Sequence, residues 1–213
     1  MARAAPFEEH HERYEAWFGK HEPAYLSELL ALRPFVPWEG RGIEIGVGSG
    51  RFAAPLGVQV GLDPSLAMLA YAAARGIETV EGVAENLPFP DDSFDHALLV
   101  TTLCFLDSPE EALREVLRVL KPGGRLVIGF IDRDSTLGQA YVQRQAESVF
   151  YREATFHSAS EVEQLLVDGG FAIDAWGQTL AVAPGEICEI DPLRPGRGQC
   201  PFVVVAASSP RSG

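Results

Sequence analysis

Gly42-Ile-Glu-Ile-Gly-Val-Gly-Ser-Gly-Arg-Phe52, followed shortly by Gly61-Leu-Asp63-Pro-Ser65, decides how this chain is read. A short apolar strand runs into the alternating glycines Gly46, Gly48 and Gly50. A second apolar segment, Val58 to Leu62, then ends on an acid. Glycines at the end of a strand allow a tight turn and bring a ligand against bare main chain, with no Cβ in the way. An acid at the tip of the next strand suits a ribose, whose vicinal hydroxyls can both donate to one carboxylate. Such a pairing marks a nucleoside-bearing cofactor lying across the carboxyl ends of a parallel sheet.

Two cofactor classes compete for this loop. Dinucleotide enzymes use Gly-x-Gly-x-x-Gly, whose third glycine lets helix and strand pack closely. Counted from Gly46, that third position is Arg51. The glycines fall instead as Gly-x-Gly-x-Gly, with Glu44 inside the strand before them. This form lacks a pyrophosphate cradle and fits S-adenosylmethionine, whose amino-acid end is zwitterionic and carries no phosphate.

Composition narrows the function further. The 213 residues, 46% hydrophobic, are enough for one α/β domain with a buried sheet and a tight fit for two, so residues 1–213 are read as a single domain. No apolar run approaches the ~18–20 residues of a membrane span, and the first dozen residues are polar, which predicts no signal peptide and no stable membrane insertion. Cys104, Cys188 and Cys200 are scattered without metal-ligand spacing, pointing to a reduced, cytoplasmic protein without structural disulfides. His10 and His11 lack ligand spacing as well, and no metal is expected. A net charge of −13 without a basic stripe argues against a nucleic-acid substrate and for a small molecule, neutral or cationic.

Strand and helix patterns alternate throughout. Residues 7–33 read as two short helices broken near Gly19 and Pro23. Ile43–Gly46 and Val58–Leu62 are the first two strands, with a helix of only about two turns between them. Residues 64–75 form an Ala-rich helix with Asp63 at its N-cap and Pro64 in its first turn. Glu78–Glu81 is a third strand, and Phe94–Leu103 an apolar run suited to a strand buried on both faces. Ser108 with Glu111, and Ser158 with Glu161, are capping boxes that open two more helices. The first carries Leu113, Val116 and Leu117 on one face and stops at Lys121-Pro-Gly-Gly124; the second ends at Gly169-Gly170. Residues 125–131, 171–176 and 202–207 complete the strands. The alternation predicts a doubly wound, Rossmann-like α/β sheet.

With these segments in place, the chain resembles class I S-adenosylmethionine-dependent methyltransferases, in the compact branch similar to the ubiquinone and menaquinone biosynthesis enzymes. The likeness runs from about Tyr14 to Phe171. It is carried by IEIGVGSGRF (43–52), GLDPS (61–65), AENLPFPDDSFD (84–95) and PEEALREVLRVLKPGGRLVIG (109–129), in that order and spacing. It implies a seven-stranded, mostly parallel sheet whose last strand is antiparallel and inserted between the fifth and sixth. It also implies that Glu44, Gly46, Gly48 and Gly50 hold the methionine end of the cofactor. Asp63, followed by Pro64, takes the ribose hydroxyls. Ala84 presents a backbone amide to the adenine, with Val83 and Glu85 beside it, and Leu99 and Val100 floor the sulfonium. Tyr14, Trp17 and Phe18 resemble the Tyr-x-x-Trp-Phe segment that closes over the cofactor, making the helices of residues 7–33 a lid.

Two departures stand out. Where relatives carry an acid before the Ala-Glu pair, this chain has Val83, which moves adenine selectivity to main chain or to Glu85. Where relatives carry a histidine pair after the fourth strand, it has Cys104 and Phe105, so that site offers no histidine base. Structural readings stand beside the functional ones. Asp63 is a fitting N-cap, Glu44 a fitting strand-edge acid, and Tyr14, Trp17 and Phe18 a fitting core stripe. Cys104 suits a small buried position better than a nucleophile.

The expected chemistry is in-line methyl transfer to a small nucleophile, in which the protein supplies orientation and excludes water. No residue is assigned as catalytic. Without an evident base, a thiolate, an amine or an acidic enol or phenol is the natural acceptor. Acceptor contacts are expected from the N-terminal helices, from residues 132–156 with Tyr141 and Tyr151, and from the loop 177–201. The competing readings are a dinucleotide oxidoreductase, disfavoured by Arg51; a non-catalytic S-adenosylmethionine-binding sensor or partner-binding module on the same fold; and a membrane-quinone methyltransferase, disfavoured by the lack of a basic amphipathic anchor.

Overall fold

The computed structural model describes residues 4–182 and 184–211. Its strands are β1 (Gly42–Ile45), β2 (Val60–Asp63), β3 (Glu78–Glu81), β4 (Phe94–Val100), β5 (Leu120–Ile131), β6 (Ala172–Thr179), β7 (Arg194–Pro195) and β8 (Phe202–Ser208). They make one sheet in the order β3-β2-β1-β4-β5-β8-β6-β7. The sheet is parallel from β3 through β5, and β8 runs antiparallel between β5 and β6, as expected. The expected seven strands become eight among the described residues, because Arg194–Pro195 pairs antiparallel with Gly177 and Gln178. So short a strand, half of it proline, leaves no periodic signal in a sequence.

The helices are α1 (Ala5–Glu9), α2 (His11–Lys20), α3 (Glu22–Leu32), α4 (Ala53–Leu56), α5 (Leu66–Ala74), α6 (Pro109–Val119), α7 (Thr136–Gln143) and α8 (Ala159–Asp168). Where two N-terminal helices were expected there are three, broken at His10 and His21. The helix between the first two strands is a single turn rather than two. The N-cap of α5 is Ser65 and not Asp63. Ser65 is extended, and its Oγ accepts from Met68 N–H. The Ser158–Glu161 capping box is present in full, while at α6 Ser108 caps Glu111 N–H.

Strand alternation divides the core into two layers. Ala97, Leu99, Leu126, Ile128, Val203 and Val205 face α6 and α8, meeting Leu113, Val116, Val162 and Leu166. Leu98, Val100, Val127, Phe202 and Val204 face the N-terminal side, meeting Phe18, Leu32, Leu69 and Ala72. Each such buried Val, Leu, Ile or Phe side chain contributes roughly 1.5–3 kcal/mol relative to exposure.

The strand order reverses at β1, whose neighbours are β2 on one side and β4 on the other. Crossovers leave in opposite directions there and open a crevice beyond the carboxyl ends of the strands. The site lies in that crevice.

Candidate active site

Each glycine of the loop after β1 is required for a different reason. A Cβ on Gly46 would lie 2.3 Å from Thr102 Cγ2, so this glycine lets the loop pack on the segment after β4. A Cβ on Gly50 would meet the Ala72 main chain at 3.1 Å, so this one seats the loop on α5. Gly48 is different: its φ is 50°, and a Cβ there would stand 3.4 Å from Met68 Cε and 3.9 Å from the Tyr14 hydroxyl. Gly48 therefore turns bare backbone toward the cavity.

Asp63 sits at the tip of β2, 8% exposed. Gly48 N–H donates to its Oδ2 at 2.8 Å, and Ser65 N–H to its Oδ1 at 2.9 Å. A carboxylate has about four acceptor sites, so each oxygen keeps a free lone pair. Burial pushes the Asp63 carboxyl up to about 6, against the two N–H donors that favour its ionised form.

A cavity of about 310 Å³ opens beside this pair, within the size range of small-ligand sites. Its wall contains Gly46, Gly48, Asp63, Pro64, Ala84, Glu85, Val100, Tyr14 and Trp17 from the expected set. Glu44, Gly50 and Leu99 are not on it. Leu99 belongs to the layer facing α6 and α8, because successive strand residues point to opposite faces and only Val100 reaches the cavity. Glu44 is 1% exposed with Oε2 unpartnered. Burial holds its carboxyl well above the usual range; the Ala53 N–H opposes this and the Asp63 charge adds to it. Glu85 also has a structural duty, its Oε1 accepting from Asp107 N–H at 2.9 Å.

The N-terminal helices lie over the loop and are tied to it by charge. Glu15 of α2 pairs with Arg51 at 2.9 Å and with Arg75 at 2.7 Å. The Tyr25 hydroxyl donates to the Arg51 carbonyl at 2.7 Å, and the Arg51 guanidinium lies over the Phe18 ring at 5.2 Å. On α1, Glu8 accepts from Ser65 Oγ at 2.6 Å and from Ala67 N–H at 3.0 Å. The residue that breaks the dinucleotide pattern is thus the anchor that fastens the N-terminal helices over the site.

Beyond the glycine loop the wall becomes aromatic. Phe7 meets Phe105, Tyr14 and Phe150 at ring-centroid distances of 5.0, 5.4 and 5.2 Å. Tyr141 stacks on Tyr151 at 5.2 Å, and Tyr151 on Phe105 at 5.7 Å. Thr101, on the same wall, has φ 52°, a strained geometry for a β-branched residue at the end of β4. Glu28 on α3, a buried carboxyl on the same cavity wall, carries no local signal in the sequence.

Residues 43–128 match the model of the methyltransferase domain family. An uncharacterised protein of Methanocaldococcus jannaschii is 40% identical over 201 residues, which is 94% of this chain and 97% of that one. A crystal structure from Thermotoga maritima, described as an S-adenosylmethionine-dependent methyltransferase and possible histamine N-methyltransferase, is 47% identical. It superposes with a TM-score of 0.94 over 97% of this chain and 99% of the other. This chain belongs to the S-adenosylmethionine-dependent methyltransferases. The methyltransferase is also 42% identical to a demethylmenaquinone methyltransferase of Paenarthrobacter aurescens, over 92 residues covering 40% of the chain and 36% of that enzyme. Its cofactor is S-adenosylmethionine, and bare backbone at Gly48 beside a half-committed Asp63 is an arrangement that fits a ribosyl sulfonium. No helix of the methyltransferase among the described residues is long and apolar enough to cross a membrane.

Proposed function

We propose that this methyltransferase moves the cofactor's methyl group to a small-molecule nucleophile seated at the aromatic end of the cavity. Residues 1–213 act as one domain in this reading, and the helices of residues 7–33 act as its lid. The observation that carries it is the division of one cavity wall into a glycine and acid end and an aromatic end, with Tyr14 between them.

When bound, the cofactor supplies an electrophilic methyl group on a sulfonium. Asp63 takes the ribose hydroxyls on its free lone pairs, with Pro64 alongside. Gly46 and Gly48 offer main chain to the methionine moiety, which Glu44 and Gly50 shape from behind. Ala84 offers its amide to the adenine next to Glu85. Val100 floors the reacting centre on the cavity face of β4, with Leu99 supporting it from the opposite face, and Tyr14 and Trp17 close over it. Lid and aromatic wall exclude water and hold the acceptor near attack geometry, an effect of ~7–11 kcal/mol in favourable cases. An aromatic-lined cavity of about 310 Å³ and a net charge of −13 both favour a small acceptor over a nucleic acid.

Calorimetric titration with S-adenosylhomocysteine and with NAD tests the cofactor half: binding of the first and none of the second is expected, and the reverse would overturn it. For the acceptor half, Tyr141→Leu should weaken acceptor binding up to about tenfold, the worth of one aromatic contact. S-Adenosylhomocysteine affinity should stay unchanged in that variant. Parallel loss of both affinities would remove Tyr141 from the acceptor wall.

A further inference from the structure

Glu28 stands on the cavity wall at the middle of α3 and is only 5% exposed. No hydrogen bond or charge from a described residue contributes to the electrostatics of its carboxyl. A buried carboxyl without a partner is costly and persists where something else completes it. Burial alone pushes Glu28 up to about 8. Glu28 lines the same cavity as Asp63 and as the aromatic residues Phe105, Tyr141, Phe150 and Tyr151.

Three phenols share its cavity wall. Tyr14 from α2, Tyr141 from α7 and Tyr151 from the segment after α7 all feel its charge. Burial raises all three, Tyr141 to about 12, so they stay neutral while Glu28 ionises. The strands β5 and β8, on which α3 also packs, present Val127, Phe202 and Val204, and β6 leads into Leu180. The turn Pro184–Glu186 puts its own acid, Glu186, in solvent, and Arg33 at the far end of α3 is committed to the Leu56 carbonyl. Glu28 and Asp63 share the wall with one described cation, Arg13, which is exposed and lies over the Phe150 ring at 6.0 Å. A buried carboxyl beside aromatic faces is a site for a cation.

On the methyl-transfer reading above, we propose that the acceptor is an aliphatic amine bound as its ammonium, with its charge on Glu28 and its carbon skeleton against Tyr14, Tyr141 and Tyr151. Glu28 also takes the proton that must leave before the nitrogen can react. An acceptor already anionic, a thiolate or enolate, would meet like charge at this position. An ammonium instead removes the burial cost of the carboxylate. The balance is simple. One proton passes from ammonium to Glu28, and the freed lone pair forms the N–C bond as the S–C bond breaks with its electrons left on sulfur. The product departs as a methylammonium ion, and the Glu28 proton returns to solvent.

The test titrates 2-phenylethylamine and its neutral counterpart 2-phenylethanol into the full chain saturated with S-adenosylhomocysteine, from pH 7 to pH 10. The amine should bind at least tenfold more tightly than the alcohol. Its affinity should rise as Glu28 ionises near pH 8 and fall again when the amine loses its own proton. In Glu28→Gln, which keeps size and a hydrogen-bond donor, the preference and the rising limb should vanish while S-adenosylhomocysteine affinity is unchanged. Glu28→Asp should recover part of the preference. An amine that binds no better than the alcohol, or a preference that survives in Glu28→Gln, would overturn the proposal; absence of amine binding counts the same way. Failure of wild-type protein to bind S-adenosylhomocysteine would instead sink the reading on which the proposal rests.

Discussion

Gly48→Val is expected to lower S-adenosylhomocysteine affinity by more than a hundredfold while leaving a folded protein. The left-handed backbone at Gly48 penalises a β-branched residue by roughly 1–2 kcal/mol, because Cβ then crowds the carbonyl oxygen. The first carbon of the new side chain has room, 3.4 Å from Met68 Cε, so the fold should survive with a melting point lower by several degrees. Its methyl groups must then occupy the space between the loop and Tyr14, where the methionine moiety is proposed to lie. Each buried hydrogen bond lost there costs about 1–3 kcal/mol, and displacing the ligand loses several together. Gly48→Ala, with a Cβ and nothing beyond it, should fall between wild type and Val. Near-wild-type affinity in the Val variant, measured by calorimetry on protein shown to be folded by circular dichroism, would remove Gly48 from the binding surface.

The glycine loop could be read in advance because its signal is local: spacing, the strand before it and the acid after it. The Ser158–Glu161 box was legible for the same reason, since both its hydrogen bonds join residues three apart. Other features depend on the phase of an element against its neighbours, which the sequence does not carry. Residues 97–100 are apolar on both faces, so alternation could not say whether Leu99 or Val100 meets the cavity. Asp63 and Ser65 are both good N-caps, and only the extended geometry at Ser65, φ −95° and ψ 115°, chooses between them. Glu28 is the sharpest case. In Leu26-Ser-Glu-Leu-Leu30 an acid looks like the solvent side of an amphipathic helix, whereas packing exposes Leu30 and buries Glu28. A charge on the wrong face is invisible until the tertiary contacts are known, and its cost is what points to a ligand.

Arg51 carries the same lesson from the other direction. Against the dinucleotide pattern it reads only as a missing glycine. In the fold it joins Glu15, Tyr25 and Phe18 into one fastening between the loop and the N-terminal helices. A partly buried pair that also links Arg75 forms a network, which is where ion pairs carry weight beyond the ~0–1 kcal/mol of an isolated surface bridge.

Asp63→Ala is expected to weaken S-adenosylhomocysteine binding by about 1.5–3 kcal/mol, ten- to a hundredfold, through loss of charge-assisted hydrogen bonds to the ribose. Asp63 also holds Gly48 N–H and Ser65 N–H, so the variant should melt lower as well, and melting alone does not separate the two roles. The pH dependence does. Burial raises the folded carboxyl from its ordinary 3.8 to about 6, so between those values the folded state holds more protons than the unfolded one. This residue's contribution to stability is therefore fully present below about pH 4 and is lost as pH rises through about 6. Binding should run the opposite way, because a ribose donates to the ionised form. Affinity should fall as pH drops below about 6, by roughly tenfold at pH 5, with about one proton released per ligand bound in that window. In Asp63→Asn the proton release and the slope should both disappear. If wild-type affinity at pH 5 equals that at pH 7.5, or if Asp63→Ala binds normally and only melts earlier, Asp63 serves the loop and not the ligand.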